Sequence, residues 1–138
     1  MKKYQRVFSL QEANELIPHL DSRIRIIIQN KELCDRRHDT LFLHELITNA
    51  EAENSPGTMR DSIEQDFKQL EGTLETIEKE IEEIGRLGCI VRDLGNGSVE
   101  LPGILDGEPV FFCWKLGDSA IHYYRSAEDR TGKICALY

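Results

Sequence analysis

Ile63, Phe67, Leu70, Leu74, Ile77, Ile81 and Ile84 recur at intervals of four, three, four, three, four and three, and every residue between them is polar or glycine. Only an α-helix returns side chains to one face at that alternation, and an apolar stripe confined to heptad a and d positions is the narrow seam of a coiled coil. Residues 59–88 are therefore predicted to form an amphipathic helix that closes against another helix. Its polar remainder is acidic. Asp61, Glu64, Asp66, Glu71, Glu75, Glu78, Glu80, Glu82 and Glu83 face only Arg60, Lys68, Lys79 and Arg86, which leaves −5 of the chain's net −8 on this one segment. Such a face repels phosphate backbones and anionic bilayers, so neither nucleic acid nor membrane is an expected partner.

A second helix is available upstream. Ser9-Leu10-Gln11-Glu12 is a capping box, in which the serine hydroxyl and the glutamate satisfy each other's backbone amides. From there Leu16, Ile17, Leu20, Ile24, Ile27 and Ile28 sustain a helical stripe that continues to about Asn49, with Pro18 expected to kink it or split off an entry turn. The middle of this helix is polar, with Lys31, Cys34 and His38 where the heptad wants apolar groups. The stripe returns at Leu41, Phe42, Leu43, Leu46 and Ile47. Pro56-Gly57 then breaks the pattern, and Gly88 supplies the left-handed cap of the second helix. The two segments predict a long antiparallel helical hairpin over about 9–88.

After Gly88 the period changes to that of strands. Cys89–Leu94 and Ser98–Leu101 flank the turn signal Gly95-Asn96-Gly97, and Pro102-Gly103 is expected to end the second strand. Asp106-Gly107 turns the chain into Val110–Lys115, and Gly117-Asp118 into a fourth strand over Ala120–Tyr124. Alternation places Val110, Phe112 and Trp114 on one face with Ile121 and Tyr123. The expectation is a single α+β domain over 1–138: the hairpin, a small antiparallel β-meander over about 89–125, and a tail over 126–138 without regular structure.

Several of these motifs occur together in one known group. The opening Phe8-Ser9-Leu10-Gln11-Glu12-Ala13-Asn14, the helical hairpin, then Glu100-Leu101-Pro102, Asp106-Gly107 and Cys113-Trp114-Lys115-Leu116-Gly117-Asp118 followed by Gly132-Lys133 make a chain that resembles the bacterial domain of unknown function 2203 family. The resemblance covers nearly the whole chain. Where the family pattern reads Tyr-Trp-His, this sequence has Tyr123-Tyr124-Arg125. The resemblance implies fold and compartment but brings no activity with it.

Three constellations are candidates for function. Cys34 and His38 stand four apart on one helical face, as two metal ligands could, but two ligands do not complete a site. If Gly117-Asp118 is the whole turn, Cys113 lies directly opposite His122, and a thiol beside an imidazole is half of a nucleophilic or metal site. The third is the seam of seven residues, which the polar middle of the first helix cannot cover completely. A second copy would cover it in a four-helix arrangement. The opening Lys2, Lys3 and Arg6 are followed by no apolar stretch and do not read as a secretory signal, no transmembrane run is expected, and the four scattered cysteines contain no Cys-x-x-Cys pair, so they read as reduced thiols of a cytoplasmic protein. The expectation is a non-enzymatic interaction or assembly module, homodimeric, without a cofactor and open to a further protein partner. The alternative is an enzyme or metal-binding protein that uses Cys113 and His122.

Overall fold

The computed structural model describes residues 6–50 and 57–137. Two helices, α1 (Leu10–Ala50) and α2 (Gly57–Arg86), precede five strands: β1 (Ile90–Asp93), β2 (Ser98–Leu105), β3 (Glu108–Lys115), β4 (Tyr123–Ser126) and β5 (Ile134–Ala136). The strands form one antiparallel sheet in chain order, so the protein has the α+β architecture of a helix pair followed by a β-meander. The predicted helix break at 51–56 lies outside the described residues. Contacts group into two compact units: residues up to Ile28 together with those from Glu80 onward, and the stretch Gln29–Lys79.

The ends of the helices follow from local chemistry. Glu12 N–H donates to Ser9 Oγ at 3.1 Å while Ser9 N–H donates to Glu12 Oε1 at 3.0 Å, which completes the capping box and starts α1 at Leu10. Gly88, at φ 94°, ends α2: its N–H reaches Gly85 O and the next amide, Cys89 N–H, reaches Ile84 O, the two bonds of a Schellman cap. Pro18 does not split α1, which runs unbroken from Leu10 to Ala50. Its ring lies on the exposed side, where water can serve the carbonyl left without a donor.

In the first unit one apolar core joins the start of α1, the end of α2 and one face of the sheet. Phe8, Leu20, Ile24, Ile27, Ile84, Val99, Leu101, Phe112, Trp114 and Ile121 are its largest fully buried side chains, each contributing roughly 1.5–3 kcal/mol by leaving water. Phe8 enters it as part of a short parallel bridge to the edge of β2: its N–H donates to Pro102 O at 2.8 Å and its carbonyl accepts from Ile104 N–H at 3.1 Å. This bridge corrects the expectation that Pro102-Gly103 ends the strand, because β2 continues through both residues to Leu105. Beyond Glu100 β1 has run out, so the missing proline N–H falls on an edge. Gly103 permits the approach, since a Cβ there would stand 2.3 Å from the Phe112 ring and 2.6 Å from Phe8 O.

The sheet departs from expectation at its far side. Asp106 and Gly107, both at positive φ, make the two-residue turn between β2 and β3 as predicted. The next connection is longer. Asp118 N–H donates to Lys115 O at 2.9 Å, so Leu116-Gly117 forms the centre of the turn; the Trp114 indole N–H donates to Asp118 O at 2.9 Å, and Asn14 Oδ1 on α1 accepts from Ile121 N–H at 2.7 Å. With Ile121 held by α1, β4 begins only at Tyr123. Ile121 is still buried in the core, but Tyr123 is half exposed on the other face, against the expected alternation. The predicted tail is also corrected: Ile134–Ala136 forms β5 on β4, and Leu137 N–H donates to His122 O at 2.9 Å.

In the second unit the two helices meet through mixed chemistry. Leu41 and Leu70 are buried, as is Thr73. Arg37 donates to Gln69 O at 2.9 Å and to the Thr73 hydroxyl, and His44 Nδ1 lies 2.8 Å from Asp66 Oδ2. The apolar-poor middle of α1 thus offers long polar side chains to polar groups of α2.

Candidate functional site

The residues of the sheet's outer face converge on Glu100. Its position on β2 pairs it with Ile90 and with Cys113, and Cys113 pairs in turn with Tyr123, which pairs with Ala136. Only 8% of Glu100 remains exposed. Arg125 forks onto the carboxylate, Nε to Oε2 at 2.6 Å and Nη2 to Oε1 at 2.9 Å, while Arg92 Nε donates to Oε1 at 2.6 Å. The Arg125 guanidinium also stacks on the buried Phe111 ring, 4.3 Å from its centre. Burial alone would push the Glu100 carboxyl upward; the hydrogen bonds from Arg125 and Arg92, and then their charges, outweigh it and hold the carboxyl below its ordinary value. Glu100 is therefore ionised at neutral pH, under two guanidinium groups.

Beside this cluster lies a cavity of about 340 Å³, its lining including Arg92, Glu100, Cys113, Lys115, Tyr123 and Ile134. Cys113 Sγ sits 3.9 Å from Glu100 Oε2 and 3.6 Å from Phe111 O. Burial first, and the Glu100 charge second, push its thiol up to about 11 despite the counteracting charge of Arg125. A protonated thiol held by a carboxylate is not an activated nucleophile.

The Cys113–His122 pairing is not formed. Tyr123 stands opposite Cys113, and His122 precedes the strand with its ring exposed and edge-on to Tyr123, their centres 6.5 Å apart. The expectation failed by one residue because the turn closes on Lys115 and Asp118 and Asn14 takes the Ile121 amide. A one-residue slip exchanges the faces of a strand. The cluster that does form was missed for the same reason: Arg92, Glu100, Cys113 and Arg125 have no local spacing signature and meet only through the register of four strands. Cys34 and His38 lie on α1, half-buried and exposed respectively. Among the described residues no three or more His, Cys, Asp or Glu side chains are grouped to hold a metal ion.

The seam of α2 divides into two rows. Leu70 and Ile84 are buried and Ile63 and Ile77 half-buried, whereas Phe67, Leu74 and Ile81 are 51%, 48% and 36% exposed. The helix turns inward a row in which apolar residues alternate with the polar Asp66, Thr73 and Glu80, Glu80 being engaged by Arg23 at 2.9 Å. The sequence marks the apolar row 67, 74, 81, but its exposure depends on which face meets α1.

A pair of helices followed by a five-stranded meander, with a charged cluster on the sheet's outer face, defines the class of α+β protein to which this chain belongs. The chain is a member of the family described as "Uncharacterized conserved protein (DUF2203)", whose model matches residues 6–131. No curated protein and no solved structure matches it.

Proposed function

We propose that the chain is a single-domain, non-enzymatic assembly module of the cytoplasm that pairs with a second copy of itself through the helical stretch Gln29–Lys79. The observation that carries this reading is the exposure of apolar side chains on both helices of that stretch. Phe67 and Leu74 on α2, and Phe42, Leu43, Leu46 and Ile47 on α1, are each between 45% and 57% exposed. Scattered exposed leucines are ordinary, but a heptad-spaced row on one helix, with further exposed apolar residues on the other, is surface of the kind that helices use to pair. A two-fold axis would bring the same rows of two hairpins together and close a four-helix packing with no new sequence required. Both helices contribute residues to each compact unit, which supports a single domain. The cytoplasmic reading is supported by four free thiols. No described helix is long and apolar enough to cross a membrane.

Sedimentation equilibrium tests the proposal. The wild type should sediment as a dimer at micromolar concentration, and the double variant Phe67→Glu/Leu74→Glu as a folded monomer. A wild-type monomer persisting to about 100 μM, an affinity weaker than roughly −5.5 kcal/mol, would overturn self-assembly.

A further inference from the structure

The cavity on the outer face of the sheet is independent of the hairpin rows, and its cationic side chains keep donors that its carboxylates do not use. Two guanidinium groups, Arg92 and Arg125, share the one carboxylate of Glu100. Both Glu100 oxygens are already engaged. Of Arg92, only Nε is used by Glu100, and its terminal amino groups have no partner among the described residues; the side chain is 47% exposed and lines the cavity. Lys115 lines the same cavity, and its ammonium group is likewise without a partner there. Asp118, also in the lining, uses Oδ2 to accept Lys115 N–H at 3.2 Å. Within the lining Arg92 and Lys115 match Glu100 and Asp118 in charge, so what the cavity offers an anion is the unused donors of its two cationic side chains. Ile134 and Tyr123, 52% and 49% exposed, add apolar and aromatic surface to the lining.

We infer that this cavity binds a small organic monocarboxylate, its carboxylate on the free amino groups of Arg92 and the Lys115 ammonium, its apolar body against Tyr123 and Ile134. The volume of about 340 Å³ falls at the small end of ligand cavities. A planar guanidinium edge matches a carboxylate, and the fork of Arg125 onto Glu100 holds that carboxylate in place. A monoanion brings one negative charge beside Glu100 and Asp118, whereas a phosphate dianion would bring a second. Cys113, protonated and in the lining, contributes contact rather than chemistry.

Calorimetric titration of the full chain with benzoate and with isovalerate tests the inference, using benzamide and inorganic phosphate for comparison. At least one of the two acids should bind saturably with a millimolar or tighter constant, benzamide should not, and phosphate should bind more weakly. Arg92→Gln should weaken acid binding about tenfold or more; should that variant not fold, Lys115→Gln is expected to weaken it about threefold or more. Absence of saturable binding by both acids, binding unchanged in a folded Arg92→Gln, or phosphate binding as tightly as the better acid would each overturn it.

Discussion

Glu100 is the residue whose ionisation matters most to the sheet, because it is nearly buried and both of its oxygens accept from arginines. Its carboxyl is held below the ordinary value of 4.5, so the folded state binds a proton less readily than the unfolded chain. The stabilisation is complete above that ordinary value and is lost as pH falls through the lower folded value. Glu100→Gln should cost about 2 kcal/mol at pH 7, the scale of hydrogen bonds to a charged group. Urea denaturation of both proteins from pH 7 down to the acid limb should show their stabilities converging below pH 4.5; a gap that stays constant would dissociate the residue's role from its charge. The neighbouring Cys113 thiol, pushed from 9.0 up to about 11, carries about a hundredfold less thiolate than an unperturbed one at pH 7. Alkylation of Cys113 should accordingly be about a hundredfold slower in the folded protein than in urea, and His122→Ala should leave that rate unchanged. Fast alkylation that depends on His122 would restore the nucleophile reading.

At the scale of the element, α2 offers two apolar rows that a sequence stripe cannot tell apart. Leu70 is 8% exposed and Leu74 48%, although they are chemically identical and four residues apart. Leu70→Asp would bury a carboxylate one helical turn from the buried Thr73, at a cost of about 3 kcal/mol or more. Leu74→Asp places its charge in water and should change the stability of the single chain by no more than about 1 kcal/mol while abolishing self-association. Circular dichroism melts at concentrations too low for pairing separate the two; equal destabilisation by both variants would show that Leu74 is not a surface row residue.

For the whole molecule, net charge sets the terms of any self-association. Each chain carries −8, with −5 in the segment that supplies Phe67 and Leu74, so two copies repel as their apolar rows approach. Screening by salt weakens that repulsion and leaves burial of Phe67 and Leu74 intact. Raising salt from about 20 mM to about 300 mM should therefore tighten dimerisation several-fold in sedimentation experiments. An association weakened by salt would mean that ion pairs rather than apolar rows hold the copies together.

What the sequence determined by itself was local. The capping box at Ser9 and Glu12, the Gly88 cap, the Asp106-Gly107 turn and the heptad stripe of α2 were all legible, because each depends on residues a few positions apart whose backbone preferences need no distant partner. The order of helices and strands follows from those signals. Tertiary structure decided the rest through contacts that cross the chain. Asn14 takes the amide of Ile121 and so moves β4 by one residue, putting Tyr123 rather than His122 beside Cys113. Phe8 bonds along the edge of β2 and carries that strand through Pro102-Gly103. The face that α2 turns inward decides which half of an unbroken stripe is buried. Arg92 and Arg125 reach Glu100 from 8 and 25 residues away. A side-chain period specifies that a face exists, but which partner meets it, and in which register, is chosen only when the whole chain packs.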